Sequence, residues 1–306
     1  PRYCRFGGFA AMAESTESTA LDLGLALPTF LQFGAPDPGL VRSVAHEAET
    51  AGFDRLWCFD HILWHRPFID ALTATTIGLE ATDRIAVGPG VLQALLRPPV
   101  VLAASLGSLI DVAEGRLGWG LGVGEHQREY DAAERLTAPT HRWDAMVEHH
   151  RAVAAALSTG GRSAPRPWIG GRGPGSQRAV AALGANWLPA FLGPSHFAAQ
   201  FNRLSGLHIV PPMRGPFLFC CPPEHLESGR QWLESLYNLP GIGPRMVLPA
   251  DERLAQRAGE FVQAGANHLS LVVTMDDPRA HLDQIVKLLS TVTGRSDHTT
   301  GGPHRG

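Results

Sequence analysis

Short apolar runs alternate with segments of helical periodicity along most of this chain. That alternation constrains the fold more than any other feature, because consecutive parallel strands need a crossover and a helix is the usual one. The opening unit is the clearest. Residues 21–27 (LDLGLAL) set a leucine at every second position with small or polar residues between, stop at Pro28, and read as a strand. Asp37 and Pro38 then supply an N-cap and a first-turn proline; Val41, Val44, Ala45 and Ala48 recur at helical spacing until Gly52. Further strands are expected at 53–60, 85–91, 116–123, 167–171, near Trp187, at 217–221 and at 267–273. Helices are expected near 70–81, 99–112, 141–157, 174–183 and 278–289. The pattern predicts an α/β fold, a (β/α)8 TIM barrel forming one domain over 21–293, with an irregular insertion at 194–251 in the C-terminal third, where proline and helix exceed the needs of one unit. Strand count alone also fits an open doubly wound sheet, but both folds bind ligands at the C-terminal strand ends. Residues 1–20 lack periodicity and 294–306 are polar and glycine-rich, so a disordered leader and tail are expected.

Composition excludes several functions. Hydrophobic residues are 44% and charged residues 18% of the chain, which suits a packed enzyme and not a disordered interaction protein. A formal net charge of −3 without basic runs argues against nucleic acid. Apolar runs fall short of the ~18 residues of a membrane span. Cys4, Cys58, Cys220 and Cys221 form no CxxC pair or disulfide framework, which points to a reducing, cytoplasmic setting. Lys287 is the sole lysine, with arginine and alanine abundant, a bias associated with high-GC genomes such as those of actinobacteria. A homodimer stays open, dimers being the commonest homo-oligomers.

In a parallel barrel the informative side chains lie just past each strand. The second strand ends in Asp60, His61 and, three residues on, Trp64: a hydrogen-bonding carboxylate, an imidazole suited to proton transfer and a flat apolar wall. The bland alternative is a turn-capping Asp beside a solvated His. Gly90-Val91 ends the third strand, where a missing Cβ lets backbone approach a planar ligand, or simply makes a turn. The fourth reads GWGLGVGE; its glycines, including Gly122 and Gly124, alternate as strand positions without the helix a dinucleotide fingerprint requires, and Glu125 is a candidate site acid or one more surface acid. Gly170, Gly171, Arg172 and Gly173 precede a helix, so free N–H groups and a guanidinium could cradle a phosphate; a flexible turn is the competing reading.

The segments LGLALP (23–28), AETAGFDRLWCFDHILW (48–64), IAVGPGVL (85–92), LIDVAEGRLGWGLGVG (109–124) and WIGGRGPGSQRAVAALGANW (168–187) occur in an order that resembles the bacterial luciferase-like monooxygenase superfamily, particularly its deazaflavin (coenzyme F-420)-dependent branch. The resemblance implies a TIM barrel holding coenzyme F-420 or FMN. It implies Asp60 and His61 beside the reacting ring, Gly90-Val91 as a bulged peptide behind it, often cis in relatives, and Gly170 to Gly173 on the phosphate. Relatives carry a couple more residues between the strand-four glycines and the site acid than separate Gly124 from Glu125.

The leading expectation is hydride transfer between reduced coenzyme F-420 and a small organic substrate, with His61 moving the proton and Asp60 orienting it; Glu125 is a third candidate catalytic group, and Trp64, Gly122 and Gly124 join the cofactor contacts. The alternative is an FMN-dependent monooxygenase using molecular oxygen. Less favoured are a metal-dependent barrel hydrolase using Asp60, His61 and His65, and a flavin binder without catalysis; no metal is expected.

Overall fold

A computed structural model describes residues 21–135 and 139–294; the expected leader and nearly all of the expected tail lie outside them. Ten strands occur in chain order: β1 (Asp22–Ala26), β2 (Arg55–Cys58), β3 (Ala86–Pro89), β4 (Leu92–Gln93), β5 (Gly120–Gly122), β6 (Trp168–Gly170), β7 (Asn186–Leu188), β8 (Phe217–Cys221), β9 (Val247–Pro249) and β10 (His268–Val273). All strand pairs are parallel, in two sheets ordered β3-β2-β1-β10-β8-β9 and β4-β5-β6-β7. Backbone hydrogen bonds close both seams. Val87 N donates to Arg116 O and Gly118 N to Val87 O, each at 2.9 Å, tying β3 to the approach to β5. Trp187 N donates to Met213 O at 2.9 Å and Gly215 N to Trp187 O at 3.1 Å, tying β7 to the approach to β8. The ring therefore runs β1-β2-β3-β5-β6-β7-β8-β10, a TIM barrel whose eight strands match the eight expected ones.

Alternation along the strands builds two core layers. In β8, Leu218 and Cys220 join the cluster between strands and helices, while Phe217, Phe219 and Cys221 join Trp57, Trp168 and Leu188 in a second cluster. In β1 the leucines Leu23 and Leu25 face the helices, whereas a Cβ on Gly24 would meet Trp57, Ser270 and His268 within about 3 Å, so the barrel interior admits only glycine there. Full burial of each such leucine contributes ~1.5–3 kcal/mol. The barrel floor is polar: His268 sits between Asp22 (2.5 Å) and Ser270 (2.6 Å), and the Arg55 guanidinium lies over Trp168. Burial raises the Asp22 pKa, but His268 and Arg55 outweigh it and hold the carboxyl at about 2.

Two helices begin at capping aspartates, the first of them the expected cap. Asp37 caps Pro38–Ala51, and Asp70 accepts from Leu72 N and Thr73 N to cap Ala71–Glu80. Residues 194–251 hold the helices Pro194–Gly206 and Leu226–Tyr237 around β8, to which the 3-10 helix Pro223–His225, the short helix Gly243–Met246 and β9 are added. Pro194 occupies the first turn of its helix, where its missing N–H costs nothing. Cys58, Cys220 and Cys221 are buried free thiols, and among the described residues no helix is long and apolar enough to cross a membrane.

Candidate active site at the barrel mouth

The C-terminal strand ends surround a cavity of about 230 Å³. Asp60, His61 and Trp64 enter it from the end of β2, Gly90 and Val91 from β3, Gly122, Gly124 and Glu125 from β5, and Gly170, Gly171 and Arg172 from β6. Of the expected catalytic and cofactor-binding residues only Gly173 is outside the lining; it stands at the N-cap of the helix Pro174–Leu183, which no side chain caps.

The glycines have local reasons. The Gly90-Val91 peptide is cis, and the Val91 side chain is received by a Cβ-free wall: a Cβ would approach it to 2.5 Å from Gly122 and to 3.1 Å from Gly120 or Gly170. Gly171 has φ +91°, a conformation L side chains avoid, and a Cβ there or at Gly175 would strike Trp143. The helix start thus presents uncapped N–H groups beside Arg172, whose Nη1 donates to Phe191 O at 2.8 Å.

His61 is oriented by a residue the sequence reading missed. Its Nδ1 lies 3.2 Å from Glu129 Oε2, and its ring stacks on Trp64 with centroids 3.9 Å apart. Glu129 Oε1 also accepts from Ile62 N (2.9 Å), Leu63 N (3.1 Å) and Gln93 Nε2 (3.3 Å). Burial of this side chain, 0% exposed, raises its pKa, but the hydrogen bonds from His61, Leu63 and Ile62 prevail and hold it at about 2. A carboxylate that accepts only leaves one arrangement for its partner: His61 Nδ1 carries the proton, and Nε2 is the ring nitrogen left for a ligand. Glu129 rides on the short helix Gln127–Ala132, anchored where buried Tyr130 donates to Val123 O and packs under Arg142, 3.6 Å from the ring centroid.

Asp60 does different work from that expected. Its carboxylate takes a two-pronged bond from Arg97 (2.8 Å each) and one from Gln93 N (2.8 Å), while Gln93 Nε2 donates to its carbonyl. It therefore locks the end of β2 to the chain after β4 and reaches His61 only through Gln93, whose Nε2 is 3.1 Å from Nδ1. Glu125 is exposed at the mouth. His126 lines the cavity beside Trp64, and burial, then the His61 charge, lowers its pKa. The metal set considered above is not assembled: Asp60 serves Arg97, and His65 Nε2 serves Ser235 O. Among the described residues the one group spaced to share a metal is Glu224, His225 and His281, none of which lines this cavity.

A closed parallel barrel with a half-buried histidine on a buried glutamate, a glycine floor and a helix N-terminus around one mouth defines a small-molecule site of the barrel-enzyme type. Residues 21–208 match the luciferase-like monooxygenase family, and the chain belongs to that family. It is 36% identical over 105 residues to the 5,10-methylenetetrahydromethanopterin reductase of Methanolobus tindarius, covering 33% of this chain and 30% of that protein. It is 33% identical over 118 residues to the F420-dependent hydroxymycolic acid dehydrogenase of Mycobacterium tuberculosis, covering 35% and 32%. The chain thus matches about a third of the length of these curated relatives. Among solved structures, an F420-dependent secondary alcohol dehydrogenase in complex with an F420-acetone adduct superposes with a TM-score of 0.73 at 18% identity, over 89% of this chain and 99% of that one, a likeness of fold.

Proposed function

We propose that this protein is an oxidoreductase that moves hydride between a deazaflavin of the coenzyme F-420 type and a small organic substrate. One observation carries the reading: the His61 loop, the Gly90-Val91 bend and the turn from Gly170 to Arg172 converge on a single cavity. The residues fit such a group. The enclosed space suits a planar ring head, and a longer tail would pass out past Arg172 to the uncapped helix start. There Arg172 and the helix N–H groups would hold the phosphate, and the 90–91 peptide with Val91 would back the ring. Two relatives named for F420 support the choice of cofactor.

Bound there, the deazaflavin supplies or accepts hydride; position and proton are left to the chain. His61 Nε2 takes or gives the proton at the substrate oxygen, because Nδ1 is committed to Glu129. Glu129 keeps the ring in that tautomer, as the carboxylate of a catalytic triad does for its histidine. Asp60, Arg97 and Gln93 hold the loop in place, and Trp64 stacked on the imidazole limits its rotation.

The experiment offers the protein reduced coenzyme F-420 and reduced FMN in air. The proposal expects binding of coenzyme F-420 and no oxygen consumption linked to it. Oxygen consumption with FMN and no binding of the deazaflavin would establish the monooxygenase reading instead.

A further inference from the structure

The cavity lining joins two kinds of residue: the glycines, with His61, and an aromatic group of Phe59, Phe191, Phe217, Phe219 and Tyr237 with Leu236, against which Val91 also packs. Phe191 stacks on Phe219 with centroids 5.2 Å apart and meets Tyr237 edge-on at 5.1 Å. Its backbone is left-handed, φ +57°, a conformation a bulky side chain keeps only when its surroundings enforce it. Those surroundings are the aromatic stack and the Arg172 guanidinium on its carbonyl.

Charge in the lining is distributed against anions. Among the described lining residues Arg172 is the sole arginine or lysine; its Nη1 donates to Phe191 O, and its other donors are those assigned above to the cofactor phosphate, which would neutralise it. Asp60 is neutralised from behind by Arg97, while Glu125 stands at the mouth without an ion pair to any described residue. A carboxylate or phosphate entering here would lose its water against phenyl rings and meet a like charge. Two neutral donors stand free in the lining: the Tyr237 hydroxyl bonds to no other described residue, and the buried Trp64 Nε1, beside His61, has no partner either. Burial, then the Glu125 charge, raises the Tyr237 pKa, so the hydroxyl stays protonated. Ile62 and Leu63, 42% and 45% exposed beside His61, make the approach apolar too.

Resting on the oxidoreductase reading above, we infer that the substrate is a neutral, flat, mainly hydrocarbon carbonyl compound or the matching alcohol, and that Tyr237 is a specificity-determining residue donating to an oxygen of it. With the cofactor on the glycines, such a molecule lies against the aromatic group and replaces the missing partner of Tyr237.

The test is equilibrium dialysis of the full chain saturated with oxidised coenzyme F-420 against three probes with one ring system: acetonaphthone, naphthoate and naphthalene. Acetonaphthone is expected to bind at least about tenfold tighter than naphthoate. Tyr237→Phe should weaken acetonaphthone about three- to tenfold, the effect of one hydrogen bond, and leave naphthalene unchanged. Phe191→Ala should weaken both. Naphthoate binding as tightly as the ketone, or Tyr237→Phe weakening naphthalene as much as acetonaphthone, overturns the inference. A parallel titration with coenzyme F-420 separates the failures: normal binding of it alongside a preference for naphthoate overturns the substrate inference alone, whereas no binding overturns the reading on which it rests.

Discussion

Replacing Glu129 by Gln changes one atom and reverses the hydrogen-bond logic around His61. The amide oxygen can still accept from Ile62 N and Leu63 N, so the loop keeps its anchor. The amide NH2 then faces Nδ1, which must give up its proton to accept, and the proton moves to Nε2. Proton transfer at Nε2 is impaired, and turnover should fall by ~10²–10⁴, the range from a lost general acid/base to a triad histidine held in the wrong tautomer. Cofactor affinity should not change. Stability supplies an independent magnitude. A carboxyl moved from 4.5 in the unfolded chain to about 2 in the fold contributes roughly 3 kcal/mol, at ~1.4 kcal/mol per pH unit. The folded pKa is depressed, so that contribution is complete above pH 4.5 and is lost as the pH falls towards 2. Urea denaturation at pH 7, 4 and 3 should show the wild type losing more stability on acidification than Glu129→Gln. The variant's residual slope would come from other depressed carboxyls such as Asp22. Equal slopes in the two proteins, or unimpaired turnover in the variant, would refute the assigned role.

Arg97→Met leaves the Asp60 carboxylate, 0% exposed, without its counter-ion and should cost about 3–5 kcal/mol, seen as a Tm lower by roughly 10 °C. Adding Asp60→Asn should recover much of it, and no recovery would mean that Arg97 acts through packing alone. Arg172→Ala should weaken coenzyme F-420 at least about fivefold in an absorbance titration, the scale of a lost charge-assisted bond. Gly122→Ala puts a Cβ 2.5 Å from Val91 and should displace the 90–91 bend, weakening the cofactor by about tenfold or more, whereas Gly173→Ala, with nothing within 4 Å, should bind it nearly normally.

The barrel was legible because its signals are local. Alternating leucines in β1, the cap Asp37 and the glycine-ended strands each depend on a few consecutive residues. The positions of site loops were legible for the same reason, since a parallel barrel brings all its strand ends to one face. Partners within the site were not. Glu129 lies 68 residues from His61, on a six-residue helix too short for periodicity to reveal, and Glu125 drew attention by standing next to the glycines. Asp60 looked like a partner of His61 because they are adjacent, yet adjacent residues on extended chain point apart, and its carboxylate turned to Arg97. The aromatic group was invisible because Phe59, Phe191, Phe219 and Tyr237 come from separate units that only ring closure brings together.

The most direct measurement is a crystal structure of the protein with coenzyme F-420. The account predicts the deazaflavin ring in the cavity against the cis Gly90-Val91 peptide, His61 Nε2 facing it, and the phosphate at the N-terminus of the helix Pro174–Leu183. A ring bound elsewhere, or a phosphate remote from Arg172 and that helix start, would contradict it.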